Sequence, residues 1–277
     1  MNKIDNFAFL FLLLLINVFP VDAQTKEYPY KFKLGIDLSL IPSGIALKAI
    51  SDVIEDDIPI YSQTKIEGLD KNDINTFDRF ATDLWSPTAD NVSDVFMNIL
   101  ISVPTALLIP EILHIREEHR WKNIVHLGLM YTEVFLLTRG ITNFTQAIAQ
   151  RNRPFLYNES LSIEKRVEEA QDLGAYQSFF SGHTAAAFAS AVFLAKIYQD
   201  IYGKGFWSRI IWSAGLTTAT VTGCLRVKSG KHYASDVIGG AVVGGAIGYL
   251  VPQVHKIKGD KIALSVNTEE IKLSVLF

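Results

Sequence analysis

Beyond residue 90 the sequence is dominated by apolar runs that approach the thickness of a bilayer, and this restricts what the chain can fold into. Lipid offers a backbone no hydrogen-bond partners, so segments that cross it must satisfy themselves, and runs of this kind do so as helices. They fall at 95–113, 124–144, 185–198, 210–225 and 237–251. Pro104 and Pro110 are expected to kink the first. His126, Glu133 and Arg139 interrupt the second, and such groups belong on a bundle interior. The third is rich in alanine, a close-packing surface. The last reads VIGGAVVGGAIGYLV and sets Gly240, Gly244 and Gly248 on one face for tight helix contact. An all-α, membrane-embedded bundle of about five to six spans is the expected architecture.

The flanks read differently. Residues 1–23 hold Lys3, an apolar stretch at 7–18, and then Val21-Asp22-Ala23, the pattern of a cleaved secretory leader or, alternatively, of an uncleaved anchor. Residues 24–90 are expected to be an extramembrane region with a possible short helix. The apolar stretch at 36–52 is broken by Pro42, Ser43 and Gly44 and carries Lys48, so it reads as a short or surface helix or a poor first span. Asp70, Asn72 and Asp73 hint at calcium, yet the glycine and terminal glutamate of such a loop are missing, and a solvated loop is the reading. A helical catalytic core follows at 91–253. In the tail, 254–277, apolar residues alternate at Ile262, Leu264, Val266 and again at Ile271, Leu273, Val275, which predicts a small β-hairpin.

Composition excludes some functions. A formal net charge of −3 gives no reason to expect nucleic acid. A single cysteine, Cys224, rules out an internal disulfide framework and a cysteine-rich zinc site.

Three polar groups stand out from the apolar background: Arg151, Arg153 and Pro154; Ser181-Gly182-His183; and Arg226, His232 and Asp236. His232 and Asp236 are four apart and share a face on a helix. A carboxylate there can take the Nδ1 proton of the imidazole and leave Nε2 free as a nucleophile or base. A plain salt bridge is the competing reading. Arginines offer forked donors suited to phosphate oxygens, though they also serve as positive-inside or interfacial anchors. Ser181 and Gly182 open a helix whose first N–H groups make an anion site. His183 is placed to give a proton to a leaving oxygen. No acidic cluster suggests two-metal chemistry, and no metal or cofactor is expected.

This arrangement resembles the type-2 phosphatidic acid phosphatase (PAP2) superfamily, which spans membrane lipid phosphatases, soluble acid phosphatases and vanadium haloperoxidases. The family pattern K-x6-R-P, P-S-G-H and S-R-x5-H-x3-D is met here by QAIAQRNRP, FSGH and LRVKSGKHYASD, over roughly residues 91–253. Gln146 stands in the lysine position, Phe180 in that of the proline, and Leu225 in that of the serine. Losing a cation beside a developing anion weakens transition-state stabilisation. Arg139, Arg151 or Lys165 are the substitutes the sequence offers.

The resemblance implies that His232 attacks phosphorus to form a phosphohistidine, that Asp236 orients it, and that His183 protonates the leaving group. It further implies that Arg153, Arg226, Ser181, Gly182 and Gln146 hold the phosphoryl oxygens, with no metal. The implied substrate is a phospholipid or polyprenyl phosphate or pyrophosphate, such as phosphatidic acid, phosphatidylglycerol phosphate, undecaprenyl pyrophosphate or a lipid A phosphate. Residues 155–180 are the candidate lid over the head group. If 36–52 does not cross, the basic links at 114–122 and 203–209 lie in the cytoplasm and the site faces the periplasm of a bacterial cell. If it does cross after a cleaved leader, the orientation inverts. A secreted soluble phosphatase of the same superfamily, or a decayed phosphate-lipid-binding membrane protein, are the alternatives.

Overall fold

The computed structural model describes residues 28–113, 120–257, 262–267 and 270–275. The leader or anchor expected at 1–23 lies outside them. Helix α1 covers Leu34–Glu55 and α2 Gln63–Glu67. Then come α3 Pro87–Ser102, α4 Leu108–Leu113 and the long α5, Arg120–Ala149. The rest are α6 Ile163–Glu169, α7 Gly182–Tyr202, α8 Phe206–Lys228 and α9 Ala234–His255. The tail forms β1 Ile262–Asn267 and β2 Glu270–Val275, paired antiparallel with Ile262 opposite Val275.

Helix starts follow local chemistry. Ser86 caps α3 by accepting from the Ala89 amide at 3.2 Å, and Pro87 takes the first helical position, where its missing N–H costs nothing. Ser181 caps α7 through the Thr184 amide, and Asp236 reaches back to the Tyr233 amide at 2.8 Å to start α9. The run at 95–113 is not one kinked span: α3 ends at Ser102, a 3-10 turn covers Val103–Leu107, and α4 follows. Pro104 has no N–H to continue the α-helical ladder, so the helix tightens and re-aims there.

Helix α7 is the axis of the bundle. Its Ala185, Ala187, Ala189 and Ala191 are buried, and α9, α8, α5 and α3 all pack on it. The glycine face of α9 meets that alanine face directly. A Cβ at Gly240 would sit 2.5 Å from the Ser181 carbonyl oxygen, and Cβ atoms at Gly244 and Gly248 would overlap the carbonyls of Ala185 and Ala189. The same device seats α1 on α5, where a Cβ at Gly44 would lie 2.6 Å from the Leu136 carbonyl group. Bare glycine lets backbones approach until van der Waals contact is made by the main chain itself.

That contact corrects the reading of 36–52. Pro42 lies inside α1 without ending it, and Gly44 is a packing residue rather than a breaker. α1, α5 and α9 are long and apolar enough to cross a membrane, each holding an 18-residue stretch whose mean hydropathy is 1.4, 1.3 and 1.6 respectively. α3, α7 and α8 complete the bundle. The N-termini of α3, α7 and α9 gather at one end with the C-termini of α1, α5 and α8. Ser181 N donates to Asp236 O, Gln146 donates to Phe180 O, and Arg226 pairs with Asp90 across that end. Over it lies a second small core, in which Phe155, Leu156, Tyr157 and Tyr176 pack with Ile58 and Ile66.

Candidate active site

A cavity of about 760 Å³ opens at this gathered end and runs inward between α1, α3, α5 and α7. Gln146, Arg153, Gly182, His183 and His232 line it. Arg226, Ser181 and Asp236 are not among the lining residues and stand behind it.

His232 sits in the turn between α8 and α9 and is 1% exposed. Its Nδ1–H donates to the Ser178 carbonyl at 2.8 Å, because a carbonyl can only accept. The neutral ring therefore carries its proton on Nδ1 and turns an unprotonated Nε2 outward. Burial drives the His232 pKa down to about 3; Asp236 opposes that, and the cations Arg153 and Arg226 add to it. The imidazole is neutral at any ordinary pH.

Asp236 does not make the hydrogen bond expected of it. Its Oδ2 is 3.6 Å from His232 Nδ1. The carboxylate is taken by the Tyr233 amide, by Ser178 Oγ at 2.6 Å and by Arg151 at 2.5 Å. Arg151 also binds Asp78 Oδ2 at 2.8 Å and lies 4.0 Å over the Tyr233 ring. Burial works to raise the Asp78 pKa, but hydrogen bonds from Ser235, Arg151 and Asn75 outweigh it and hold the carboxyl below its usual range. Arg151 is thus a strut between two carboxylates and is not available to replace the missing lysine. Lys165 is engaged with Glu168 and Glu169 on α6. Arg139, two turns before Gln146 on α5, lines the same cavity.

Arg153 presents its guanidinium to the cavity, and its buried Nε has no partner. Burial, and then Arg226 nearby, lower its pKa to about 10, so it stays charged. Arg226 is paired with Asp90, donates to Ser93 Oγ at 3.3 Å and lies 3.8 Å from Asp94. Asp94 in turn holds His183 Nε2 at 2.7 Å. Ser181 spends its hydroxyl on the α7 cap and on Thr184 Oγ1, while Gly182 leaves room beside Gln146.

Asp90, Asp94 and Ser178 were not singled out by the sequence. The first two lie four residues apart in the first half of α3, just before the apolar run at 95–113. The Ser86-Pro87 start signal would have included them.

The PAP2 superfamily model matches residues 127–260. This region belongs to the PAP2 superfamily. The PAP2 region thus contains α7, α8 and α9, most of α5, and every lining group named above. A lipid A 1-phosphatase of Porphyromonas gingivalis is 43% identical over 82 residues, which cover 28% of this chain and 17% of that protein. The matched segment is therefore about a sixth of that relative's length. Among solved structures, the transmembrane PAP2-type phosphatidylglycerolphosphate phosphatase of Bacillus subtilis is 18% identical with a TM-score of 0.38, covering 91% of this chain and 94% of its own.

Proposed function

We propose that this PAP2 protein is a phosphatase that hydrolyses a lipid phosphate through a phosphohistidine on His232. The observation that carries it is the state of His232. Nδ1–H is fixed on the Ser178 carbonyl, so Nε2 keeps its lone pair free in a cavity that Arg153 also lines. Nε2 forms the N–P bond as the bond from phosphorus to the leaving oxygen breaks. Burial, and then the Arg226 cation, lower the His183 pKa to about 4, so the ring becomes the acid only when an anionic phosphate enters beside it: Nε2–H stays on Asp94, a second proton is taken up on Nδ1, and that proton passes to the leaving oxygen. Water then attacks phosphorus, gives a proton back to His183, and releases phosphate and free His232. Arg153, the Gly182 helix start and Gln146 steady the phosphoryl oxygens; Arg226 joins them only by loosening its hold on Asp90.

The shape of the cavity supports a lipid. From Gln146 back to Val134 it follows α5 for twelve residues, about 18 Å. Beyond the Gln146 end its wall carries Met97, Ile101, Val134, Phe135 and Ala186, interleaved with polar groups such as Asn98, Thr138 and Ser190. A phosphate at the mouth would leave an acyl chain along that wall. The lipid A 1-phosphatase similarity puts a glycolipid phosphate first among the substrates to try.

The test is phosphate release from a panel of lipid mono- and pyrophosphates, wild type beside His232→Gln. Release lost in the variant, with labelled phosphate trapped on the wild-type protein, supports the reading. Binding without release from any lipid would make this a phosphate-lipid-binding protein, the outcome that Gln146 in the lysine position would explain.

We place the site end on the outer face of a bacterial membrane, because the far end carries basic residues, with Arg120 and Lys122 in the first turn of α5 and Lys204 and Arg209 around the start of α8. α1 supplies a crossing of its own, so this orientation requires residues 1–27 to leave Tyr28 on the inner side; a cleaved leader would invert it. Lys165→Cys in a Cys224→Ala background, labelled in intact cells with an impermeant maleimide, decides: labelling only after lysis inverts the arrangement.

A further inference from the structure

Past the inner end of the cavity, which reaches Val134, and far from His232, three helices bring Asp37 of α1, Glu133 of α5 and His255 of α9 to one point. The offset along α5 from Gln146 to Glu133 is thirteen residues, about 20 Å. All three side chains are buried, at 6%, 0% and 2% exposure. Neither Glu133 oxygen has a hydrogen-bond partner, and neither does His255 Nε2. Burying a carboxylate with nothing to satisfy it is among the costliest things a fold can do. Something must face these atoms.

The geometry points to a bound divalent transition-metal cation of the zinc class, and we propose that this triad is its site. His255 Nε2 lies 3.4 Å from Asp37 Oδ1 and 3.5 Å from Glu133 Oε2. These separations are too long for hydrogen bonds. They match the edge of a tetrahedron whose centre is about 2.1 Å from each corner, an edge of about 3.4 Å, which is the spacing of nitrogen and oxygen ligands around zinc. His255 is set up as a ligand: its Nδ1–H donates to the Val251 carbonyl at 2.8 Å, which leaves Nε2 unprotonated and aimed at the two carboxylates. Asp37 is held from behind by the Lys33 amide at 2.9 Å.

Charge argues the same way. Two carboxylates and one dication sum to zero, the only total a dry bundle tolerates cheaply. A nitrogen ligand disfavours magnesium and calcium, which take oxygen cages. Three protein ligands leave a fourth position. His126, two turns before Glu133 on α5, has a buried Nδ1 without a partner and is the protein group nearest in kind; otherwise water fills it. The ion would pin α1 to α5 and α9, so its role is to hold the first helix in the bundle. The inference does not depend on what the cavity hydrolyses.

The test is metal content. Protein purified in chelator-treated buffer, loaded with zinc and desalted, should hold about one zinc per chain by mass spectrometry, and cobalt(II) loading should give the visible bands of a tetrahedral ion. Glu133→Gln and His255→Gln should fall below about a tenth of an equivalent, while His232→Gln keeps its metal, which separates this site from the phosphate cavity. Chelation should lower the melting temperature of wild type and of His232→Gln alike. Zinc-free wild type after loading, or zinc that His232→Gln loses and Glu133→Gln keeps, overturns the proposal. Should the triad variants not fold, the cobalt spectrum and the chelator shift of the wild type decide it alone: a featureless spectrum and an unchanged melt refute the site.

Discussion

His232 gives its Nδ1 proton to the Ser178 carbonyl at 2.8 Å, while Asp236 Oδ2 stands 3.6 Å away. A peptide group sets the tautomer of the proposed nucleophile, and the carboxylate builds the frame around it. Asp236→Asn should therefore leave the ring's orientation intact and damage the frame. Arg151 would keep only Asp78, and losing one charged hydrogen bond of this kind costs about 2 kcal/mol. Denaturant unfolding in detergent should show a loss of that order, with the shape of the pH–rate profile unchanged. A variant as stable as wild type but with a shifted profile would return Asp236 to a direct role on the imidazole.

The low pKa of His232 has a signed consequence for stability. The unfolded chain takes up a proton on this ring below about 6.5, whereas the folded protein resists until about 3. Folding stability from this residue is complete above 6.5 and drains away as the pH falls toward 3, by at most about 1.4 kcal/mol per pH unit. Comparing wild type with His232→Gln from pH 7 to pH 4, the wild type should lose ground steadily. A constant difference would mean that the ring is protonated in the fold.

Asp94 holds His183 at 2.7 Å and is half exposed, so it is an orienting group that the fold does not need. Asp94→Asn should lower kcat by about 10²-fold with little change in KM or melting temperature. Equal loss in kcat for Asp94→Asn and for a distant surface aspartate variant such as Asp83→Asn would remove Asp94 from the proposed machinery.

The α7–α9 seam should be intolerant on one side only. A side chain at Gly244 overlaps the Ala185 carbonyl, whereas nothing lies within 4 Å of a Cβ at Gly245. Gly244→Val should cost about 3 kcal/mol or abolish folding. Gly245→Ala should be neutral or stabilising by up to about 1 kcal/mol, since alanine is the better helix former. Thermal melts of the pair check both signs.

Much of this was legible before any coordinates. The apolar runs declared a bundle, the glycine spacing declared the α9 face, and the ordered polar groups supplied His183, Arg153 and His232, which do meet at one cavity. What escaped has physical reasons. Ser178 acts on His232 through its main-chain carbonyl, which no side-chain pattern spells out. Asp90 and Asp94 precede the apolar run, where hydropathy falls because their helix end faces polar partners. Pro42 and Gly44 look like breakers, yet Gly44 is the point at which α5 leans on α1. Glu133 read as an interruption in a span; its partners, Asp37 and His255, lie 96 and 122 residues away in the chain.

The seam between α7 and α9 has a further implication. The two helices touch through backbone carbonyls, so the spacing between the His183 turn and the His232 turn is set by main-chain atoms that no mutation can trim. The opposite wall, from α1, α3 and α5, is made of ordinary side chains such as Met97, Ile101 and Phe135. One half of the pocket is frozen and the other is free to drift. New lipid preferences can thus be acquired by repainting a single wall, while the reacting groups stay in register.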